Sequence, residues 1–372
     1  MKVLITGARG FVGQNLIAHL NERTDVEILR YTRDDSLADL PALVGQADFI
    51  FHLAGINRPQ DPKEFIIGNT DLTQAICDAV SASGRQIPVI YTSSTQAEQD
   101  NPYGQSKRGA EHALLKFGES HGVPLYIFRL PNVFGKWARP NYNSAVATFC
   151  HNVAHGLPIQ INDPNACITL VYIDDVIEHF IALMDGGLAD TPFVSVAPEY
   201  SITVGGLAEQ LYTFRDSRHS MVTEPVGHGL VRALYSTYLS YVPPESFIYE
   251  VPKHGDARGV FVEMLKTRDS GQFSYFTAHP GITRGGHYHH SKTEKFLVIK
   301  GNACFRFRHI VSDEFYELFT TGEKPEIVET VPGWTHDITN VGDDEMIVML
   351  WANEIFDREH PDTFACPVIS ET

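Results

Sequence analysis

Positive charge is scarce in this chain. Its 372 residues include 29 Lys and Arg against 46 Asp and Glu, which gives a formal net charge of −17. This balance repels nucleic acid and anionic membrane surfaces, so neither is expected as the main partner. Any anionic ligand must instead be held by local arginines and helix N-termini.

Long apolar runs and paired cysteines are missing as well. No stretch approaches the length of a membrane span, and the N-terminus leads directly into a strand pattern, so we expect no membrane segment and no signal peptide. The cysteines are odd in number, scattered and without a C-x-x-C pair: Cys77, Cys150, Cys167, Cys304 and Cys366. This pattern argues against a disulfide framework and favours a reducing, cytoplasmic location.

A strand, a glycine-rich turn and a helix are predicted at the N-terminus. Residues 2–6 form a short apolar, β-branched run, and helical spacing follows from residue 15. Between them stand Gly7, Gly10 and Gly13, a G-x-x-G-x-x-G form of the dinucleotide-binding fingerprint. The first glycine permits the tight turn, the second lets the backbone approach a pyrophosphate, and the third lets the helix pack close to the strand.

The next predicted strand, residues 26–31, bears on the choice of cofactor. NAD enzymes commonly place an acidic residue at its end to hold the ribose 2′-hydroxyl. Here Arg30 and Arg33 bracket that position, with Asp34 and Asp35 just beyond. Arginines favour a 2′-phosphate and therefore NADPH; the alternative is a solvated charged turn.

A catalytic pattern follows two further predicted strands, residues 47–55 and 87–94. The second strand ends in Ser93-Ser94, and Tyr103-x-x-x-Lys107 opens the helix that follows. Four residues apart on a helix, Tyr103 and Lys107 share one face. An ammonium near a phenol stabilises phenolate, so such a tyrosine can exchange a proton with a carbonyl during hydride transfer.

These motifs resemble the nucleotide-sugar branch of the extended short-chain dehydrogenase/reductase family, over about residues 1–240. Members of that family share the motifs Gly7-x-x-Gly10-Phe11-x-Gly13, Leu53-Ala54-Gly55, Asn69, Ser93-Ser94, Tyr103-x-x-x-Lys107, Arg129-x-x-Asn132 and Val171-Tyr172-Ile173-Asp174-Asp175-Val176. The resemblance implies an α/β doubly wound parallel sheet of the Rossmann type. It also implies cofactor contacts from Gly7, Gly10, Phe11, Val12, Gly13, Arg30, Arg33, Leu53, Ala54, Gly55, Asn69, Tyr103 and Lys107.

The same resemblance implies Ser94, Tyr103 and Lys107 as the catalytic trio, with Arg129 and Asn132 facing the substrate. Two alternatives stay open. The chain has Ala-Glu-Gln at 97–99 where the family often has Val-Tyr-Gly, so Ser93 is an alternative to Ser94. The arginine is either a substrate contact or a buried structural residue.

A domain boundary is predicted at the proline pair 243–244, because such pairs break helices. We expect a reductase domain at 1–243 and a second domain at 246–372. Beyond the boundary, alternating segments and frequent glycines predict an all-β domain.

Histidines and one glutamate give the second domain its densest chemistry. His287 and His289 point the same way on a predicted strand, Glu294 can return on the next strand, and His336 follows downstream. Three imidazoles and a carboxylate suit zinc or another divalent transition metal. The spacing matches the cupin pattern, G-x5-H-x-H-x4-E-x6-G followed by G-x2-H-x3-N, which implies a jelly-roll fold.

A second resemblance competes with the metal. Residues 254–263 and 284–288 resemble the dTDP-4-keto-6-deoxysugar 3,5-epimerases, which are also cupins. In that family the histidine matching His287 is the catalytic base, and Arg258 and Glu263 match positions that line the substrate pocket. The extra histidines argue for a metal, which leaves Tyr288, His290 and Lys295 as candidates for proton transfer.

Together the two halves resemble the bifunctional reductase–cupin enzymes of capsular polysaccharide synthesis, over essentially the full chain. This implies C3 epimerisation of a UDP-2-acetamido-2,6-dideoxy-4-hexulose by the cupin, then NADPH-dependent C4 reduction, in UDP-N-acetyl-L-fucosamine synthesis. We expect a homodimer. Three alternatives stay open: a single-activity reductase with a structural, dimerising cupin, a dehydratase, and a non-enzymatic assembly protein. Thr95-Gln96 stands where dehydratases usually carry an acid/base pair, which weakens the second alternative.

Overall fold

The computed structural model describes the chain except residues 188, 190, 252, 257–258, 263–264, 268–270, 355–358 and 370–372. For the other residues of 252–264 and 266–270, and for 272 and 274, it describes the backbone alone. The predicted substrate residues Arg258 and Glu263 lie outside the described residues. Within the part that is described, no helix has both the length and the apolar character needed to cross a membrane.

Helices and strands alternate through the first half, and strands dominate the second. The helices are α1 (Phe11–Leu20), α2 (Leu40–Gln46), α3 (Lys63–Phe65), α4 (Leu72–Ser83), α5 (Pro102–His121), α6 (Ala145–Ala154), α7 (Ile173–Met184), α8 (Val204–Ser220) and α9 (Gly229–Leu239). A π-helical turn, Ile66–Asp71, precedes α4, and short 3₁₀ turns lie at Leu37–Asp39, Thr95–Glu98 and Pro244–Ser246.

The strands of the first half are β1 (Lys2–Thr6), β2 (Glu27–Tyr31), β3 (Phe49–His52), β4 (Val89–Ser94), β5 (Leu125–Leu130), β6 (Asn132–Phe134), β7 (Cys167–Tyr172), β8 (Phe193–Val194), β9 (Tyr200–Thr203) and β10 (Val222–Thr223). Those of the second half are β11 (Ile248–Glu250), β12 (Lys253–Asp256), β13 (Gly259–Val262), β14 (Lys266–Thr267), β15 (Gln272–Ala278), β16 (Thr283–Tyr288), β17 (Glu294–Lys300), β18 (Asn302–His309), β19 (Phe315–Thr321), β20 (Glu326–Glu329), β21 (Trp334–Asn340), β22 (Met346–Ala352) and β23 (Phe364–Ala365).

The first half is built on a parallel sheet with strand order β2-β1-β3-β4-β5-β8. Its strands are short apolar runs because both faces are covered by helices. On one face, buried side chains of β1, β3, β4 and β5 pack against apolar residues of α2, α4 and α5: Leu40, Val44, Ile76, Val80, Ala110 and Leu114. The carboxyl ends of the parallel strands share one edge, so the segments after β1, β3 and β4 meet there.

The second half contains two five-stranded antiparallel sheets. Their strand orders are β11-β20-β17-β22-β15 and β19-β18-β21-β16-β23. Aromatic side chains pack between them: the Phe296 and Phe305 ring centroids lie 5.6 Å apart. The predicted order, a parallel α/β sheet followed by an all-β domain, is confirmed.

The chain divides into two compact units, one formed by residues 1–139 and 168–201 and the other by 140–167 and 202–372. Helices α6, α8 and α9 pack on one another and belong to the second unit. The predicted domains, 1–243 and 246–372, follow sequence motifs rather than packing, and their boundary stays a prediction.

Candidate functional site

The glycine turn after β1 has the tight geometry expected of the fingerprint. Gly7 has a φ of +68°, and a Cβ there would lie 2.7 Å from the backbone nitrogen of Ala54. A Cβ on Gly13 would lie 2.4 Å from the carbonyl oxygen of Gly7, so only glycine lets α1 pack this close to the turn. Helix α1 begins at Phe11, with Gly10 as its N-cap, no side-chain cap and no acidic residue in its first turn. Its first N–H groups are therefore suited to an anion.

Arginines surround the end of β2, as the sequence predicts. Arg30 and Arg33 are both exposed there. A third arginine, Arg9 in the glycine turn, pairs with Asp34 just beyond β2. Sequence reasoning missed Arg9, although a basic residue inside the glycine motif was a visible signal.

The segment after β3 is held by a buried asparagine. Asn69 is 1% exposed; its amide oxygen accepts from the Ile56 backbone N–H at 2.8 Å, and its amide nitrogen donates to Ser106 Oγ at 2.9 Å. A Cβ on Gly55 would lie 2.9 Å from the Asn69 amide oxygen and 3.1 Å from Lys107 Nζ. Gly55, the last residue of the Leu53-Ala54-Gly55 motif, thus leaves only a thin wall between the end of β3 and the lysine.

The predicted catalytic residues come together at the start of α5. Asn101 caps this helix by accepting from the Gly104 N–H at 2.8 Å, which fixes the first turn that carries Tyr103. Burial raises the pKa of the Tyr103 phenol, and a hydrogen bond with Ser94 partly offsets the rise. The neighbouring Ser93 points elsewhere, because its hydroxyl donates to Glu111 Oε1 at 2.5 Å.

Lys107 is buried under the strand ends. It is 5% exposed, and its ammonium donates to the Thr92 carbonyl at 2.9 Å and lies 4.9 Å from the centre of the Tyr91 ring. Burial lowers its pKa to about 8, although the charge of Glu111 opposes the change. The lysine is thus poised near neutrality, where a small change in its surroundings alters its charge.

A buried histidine lies behind this group. His52 bridges two hydroxyls, with Nδ1 2.8 Å from Thr6 Oγ1 and Nε2 2.8 Å from Thr73 Oγ1. Burial, with a smaller contribution from the positive Lys107, lowers its pKa to about 3. His52 is therefore neutral and joins β1, β3 and α4 behind the site.

The two predicted substrate residues of the first unit differ in their contacts. Arg129 donates to both oxygens of the Glu111 carboxylate, from Nε at 3.0 Å and from Nη2 at 2.7 Å, and to Glu98 at 2.9 Å. It also stacks 4.6 Å from the Phe193 ring centre. Asn132 is exposed on β6 and donates to the Thr169 carbonyl at 3.0 Å.

The histidine cluster of the second unit assembles as the spacing predicts. One donor atom from each of His287, His289, Glu294 and His336 lies within 4.8 Å of the others. His287 on β16 stands directly opposite His336 on β21, with ring centroids 4.8 Å apart. Strand β16 ends at residue 288, so His289 extends from the loop beyond it, and its ring centroid lies 5.0 Å from that of His287.

The electrostatics of this cluster suit metal ligation. Burial lowers the pKa of His287 to about 3 and also lowers that of His336, so both imidazoles are neutral. Burial opposes ionisation of Glu294, yet its contacts with the side chains of His289 and His336 hold its pKa well below the usual value. Nε2 of His336 is buried without a hydrogen-bond partner, 3.4 Å from Glu294 Oε2. Three imidazoles and a carboxylate whose donor atoms lie within 4.8 Å of one another fit a divalent transition metal or zinc.

Two residues that sequence reasoning missed brace this cluster. The backbone carbonyl of Asp362 lies 2.5 Å from His289 Nδ1, which directs Nε2 of that imidazole toward the other donors. The Asp362 carboxylate accepts from the backbone N–H groups of residues 290–292 at 2.6–2.8 Å. Lys292, 7% exposed, places its ammonium 3.2 Å from Glu294 Oε1. The sequence did hold a sign of this role, since Lys292 stands two residues before the predicted ligand Glu294.

The three side chains that were candidates for proton transfer lie in other environments. Lys295 is 3% exposed, and its ammonium pairs with Glu329 and donates to the Tyr249 hydroxyl at 2.8 Å. It follows Glu294 on the same strand, so its side chain faces the opposite side of the sheet. Tyr288 and His290 are buried and both pack on the Phe364 ring.

Comparison with known proteins agrees with both halves. Residues 3–193 match the NAD dependent epimerase/dehydratase family. The chain belongs to that family. Residues 254–364 match a polysaccharide biosynthesis C-terminal domain. A UDP-2-acetamido-2,6-beta-L-arabino-hexul-4-ose reductase of Pseudomonas aeruginosa is 67% identical over 368 residues, which cover 99% of each chain.

The chain is also similar to solved structures of the CapF type. The capsular polysaccharide assembling protein CapF from Staphylococcus aureus is 42% identical, with a TM-score of 0.69 over 99% of this chain and 100% of that one. This confirms the predicted resemblance. A UDP-glucuronic acid 4-epimerase from Bacillus cereus, 19% identical with a TM-score of 0.51, covers 57% of this chain and 83% of its own and shares the fold.

Proposed function

We propose that this protein reduces the C4 ketone of a UDP-2-acetamido-2,6-dideoxy-4-hexulose with NADPH. The observation that carries the proposal is the buried Lys107 one helical turn from Tyr103, at the carboxyl edge of the parallel sheet. The Pseudomonas aeruginosa relative is named as a reductase of a UDP-linked 4-ketosugar, which supports the same chemistry.

Three side chains carry the reduction. Ser94 and Tyr103 hold the C4 oxygen, and the phenol donates its proton to that oxygen as a hydride reaches C4. Lys107 supplies the positive charge that eases loss of the phenolic proton. NADPH, when bound, supplies the hydride. The ketone gains one hydride and one proton, and the product is the corresponding alcohol, UDP-2-acetamido-2,6-dideoxy-L-talose.

The glycine turn and the arginines are proposed to hold NADPH. The open N-terminus of α1 suits the pyrophosphate, and the thin wall after β3 suits the nicotinamide half. Arg9, Arg30 and Arg33 suit the 2′-phosphate, which needs local positive charge in a protein with a net charge of −17. The proposed phosphate and ring contacts are Gly7, Gly10, Phe11, Val12, Gly13, Leu53, Ala54, Gly55 and Asn69.

We further propose that the second unit binds one divalent metal, most simply zinc, through His287, His289, Glu294 and His336. The support is the closeness of the four donors and the neutral state of the His287 and His336 imidazoles. A metal of this kind polarises a carbonyl oxygen or braces the fold. The alternative assigns His287 as a base at C3, and that role needs a cluster without metal.

The second unit is proposed to epimerise C3 before the reduction. A C4 ketone acidifies the C3 proton, which leaves to a base and returns on the other face. The buried Lys292 ammonium beside Glu294 suits the negative charge that develops on the ketone oxygen. Reduction then removes the ketone, so C3 is no longer acidic and its configuration is fixed. The reductase therefore draws the epimerisation forward.

Incubation of the ketosugar nucleotide in deuterium oxide, with and without NADPH, tests both steps by NMR. We expect deuterium at C3 without NADPH and the talo product with it. Reduction of the ketosugar without deuterium exchange at C3 would show that the protein is a single-activity reductase. Exchange without NADPH oxidation would remove the reductase assignment.

Two further proposals concern the setting of the reaction. We propose a cytoplasmic location, because all five cysteines are free. We also propose a homodimer, supported by the apolar sheet face formed by Phe273, Tyr275, Ile299, Ile347 and Met349, of which Tyr275 is 72% exposed. Sedimentation equilibrium of the wild type and of Tyr275→Glu tests the dimer: the substitution should yield monomers.

A further inference from the structure

A buried carboxylate connects the elements that form the reductase site. Glu111 lies on α5, one turn beyond Lys107 and two turns beyond Tyr103, and is 1% exposed. Its Oε1 accepts from Ser93 Oγ at 2.5 Å and from Arg129 Nε at 3.0 Å, and its Oε2 accepts from Arg129 Nη2 at 2.7 Å. Three elements, α5, β4 and β5, therefore meet at this one side chain.

The strand residues that Glu111 holds adjoin the reacting groups. Ser93 is flanked by Thr92, whose carbonyl accepts a hydrogen bond from the Lys107 ammonium, and by Ser94, whose side chain lowers the pKa of the Tyr103 phenol. Arg129 follows the parallel register of β5 beside Ser93. Removing the carboxylate would thus disturb both the strand end and the helix that carries the phenol and the ammonium.

We infer that Glu111 is a positioning residue of the reductase: it joins the Tyr103–Lys107 helix to the ends of β4 and β5 and keeps a negative charge one turn from the Lys107 ammonium. The inference rests on the proposed reductase function and extends it to a residue that touches neither substrate nor cofactor in that proposal. An uncharged side chain of equal size would keep the packing and lose the charge.

The charge matters because, among the described residues, Glu111 is the carboxylate whose charge raises the pKa of Lys107. The titratable groups that face it are Tyr103 and Glu111 on its own helix, Tyr91 on β4 and His52 on β3. Both tyrosines have raised pKa values and His52 a lowered one, so all three are neutral near pH 7. The negative charge of Glu111 opposes the loss of the Lys107 proton that burial favours, and Arg129 partly balances that charge from the far side.

The test is the pH dependence of kcat/KM for reduction of the UDP-linked 4-ketosugar at saturating NADPH. Activity needs the Lys107 ammonium, so it falls as the pH rises through the pKa of that lysine. Glu111→Gln should move this basic limb to lower pH by roughly one pH unit, since an opposite charge within reach shifts a pKa by about that amount or more. Arg129→Gln, which leaves the carboxylate unbalanced, should move the limb to higher pH.

Two matched variants separate charge from packing. Glu111→Asp keeps the charge on a shorter side chain, so kcat should fall while the basic limb stays near the wild-type position. Glu119→Gln removes the same charge from an exposed position on the same helix and should change neither quantity. Because Arg129→Gln predicts the opposite direction, it tests the inference even where Glu111→Gln fails to fold.

The outcomes are distinct. The inference is supported if the basic limb of the pH profile moves to lower pH in Glu111→Gln and to higher pH in Arg129→Gln. The inference is overturned if the wild type reduces the ketosugar and the basic limb stays at the wild-type pH in both folded variants. That result leaves the reductase proposal intact. A wild-type enzyme that does not reduce the ketosugar overturns the proposed function, and this inference falls with it.

Discussion

The two candidate sites are assembled in different ways. In the first unit, Tyr103 and Lys107 lie one turn apart on α5, so a local repeat in the sequence places them together. In the second unit, the four donors come from β16, the loop after it, β17 and β21, so the sheet pairing must form before they meet. The Tyr103–Lys107 pair thus depends on one helix, whereas the histidine cluster depends on the pairing of strands in both five-stranded antiparallel sheets.

Burial also has different consequences in the two sites. It lowers the pKa of Lys107 to about 8, which leaves the amine charged for a large fraction of molecules at neutral pH. It lowers the pKa of His287 to about 3, which leaves the imidazole neutral and free to offer a lone pair. The same desolvation therefore brings the pKa of a lysine close to neutral pH in one site and keeps an imidazole neutral in the other.

The largest expected effect separates the two activities. Tyr103→Phe should lower NADPH oxidation by about 10³-fold, the range of a lost general acid, and leave deuterium exchange at C3 intact. Stopped assays of both reactions on the same preparation measure this. Tyr126→Phe serves as the matched control, because it removes a hydroxyl near the N-terminal end of β5, away from the site at the carboxyl ends of the strands. Loss of both activities in a folded Tyr103→Phe protein would contradict the two-site assignment.

The metal is the next test of the comparison. Glu294→Gln should abolish stoichiometric metal in elemental analysis, because a carboxylate ligand is replaced by a weak amide donor. Chelation should lower the Tm of the wild type and leave that of the variant unchanged. Glu314→Gln, an exposed carboxylate of the second unit, should behave like the wild type. A metal-free wild type of full stability would instead favour His287 as a base.

A smaller effect distinguishes the buried histidine of the first unit. The pKa of His52 is about 3 in the folded state against about 6.5 unfolded, so the unfolded chain binds a proton that the folded one refuses. Stability of the first unit should therefore be full above pH 6.5 and fall as the pH drops toward 3, by about 4 kcal/mol at most. Hydrogen exchange of β1 and β3 peptides measures it.

The control for that prediction is His52→Asn, which keeps polar contact but cannot take up the proton. The protection of the β1 and β3 peptides against hydrogen exchange should be lower in this variant at pH 7, because the bridge between Thr6 and Thr73 is weakened. It should fall less steeply than in the wild type as the pH is lowered. If protection against hydrogen exchange falls equally steeply with decreasing pH in the wild type and the variant, groups other than His52 govern the acid sensitivity of this unit.

The smallest expected effect concerns cofactor choice. NADPH should bind more tightly than NADH. Arg33→Ala should reduce the difference in binding free energy between the two cofactors by about 1.5–3 kcal/mol, the range of a charge-assisted hydrogen bond. Isothermal titration with both cofactors measures the gap, with Lys63→Ala as an exposed control. Equal wild-type affinities for NADPH and NADH would refute the role given to the arginines.

Much of both sites was determined by the sequence. The glycine spacing, Tyr103-x-x-x-Lys107 and the His-x-His-x4-Glu pattern each rest on local geometry, either a turn, a helical repeat or strand alternation. Such geometry depends on neighbours in the chain, so the sequence alone reveals it. The order of a parallel sheet followed by an all-β domain has the same origin.

Only the tertiary structure decided which groups surround these residues. The packing turns Ser94 toward Tyr103 and Ser93 toward Glu111, and it binds Arg129 to that carboxylate. It also brings Asp362 to the loop at 290–292 and directs Lys295 to Glu329. These contacts join residues far apart in the chain, so they depend on how strands and helices pack, and that packing leaves no periodic signal in the sequence.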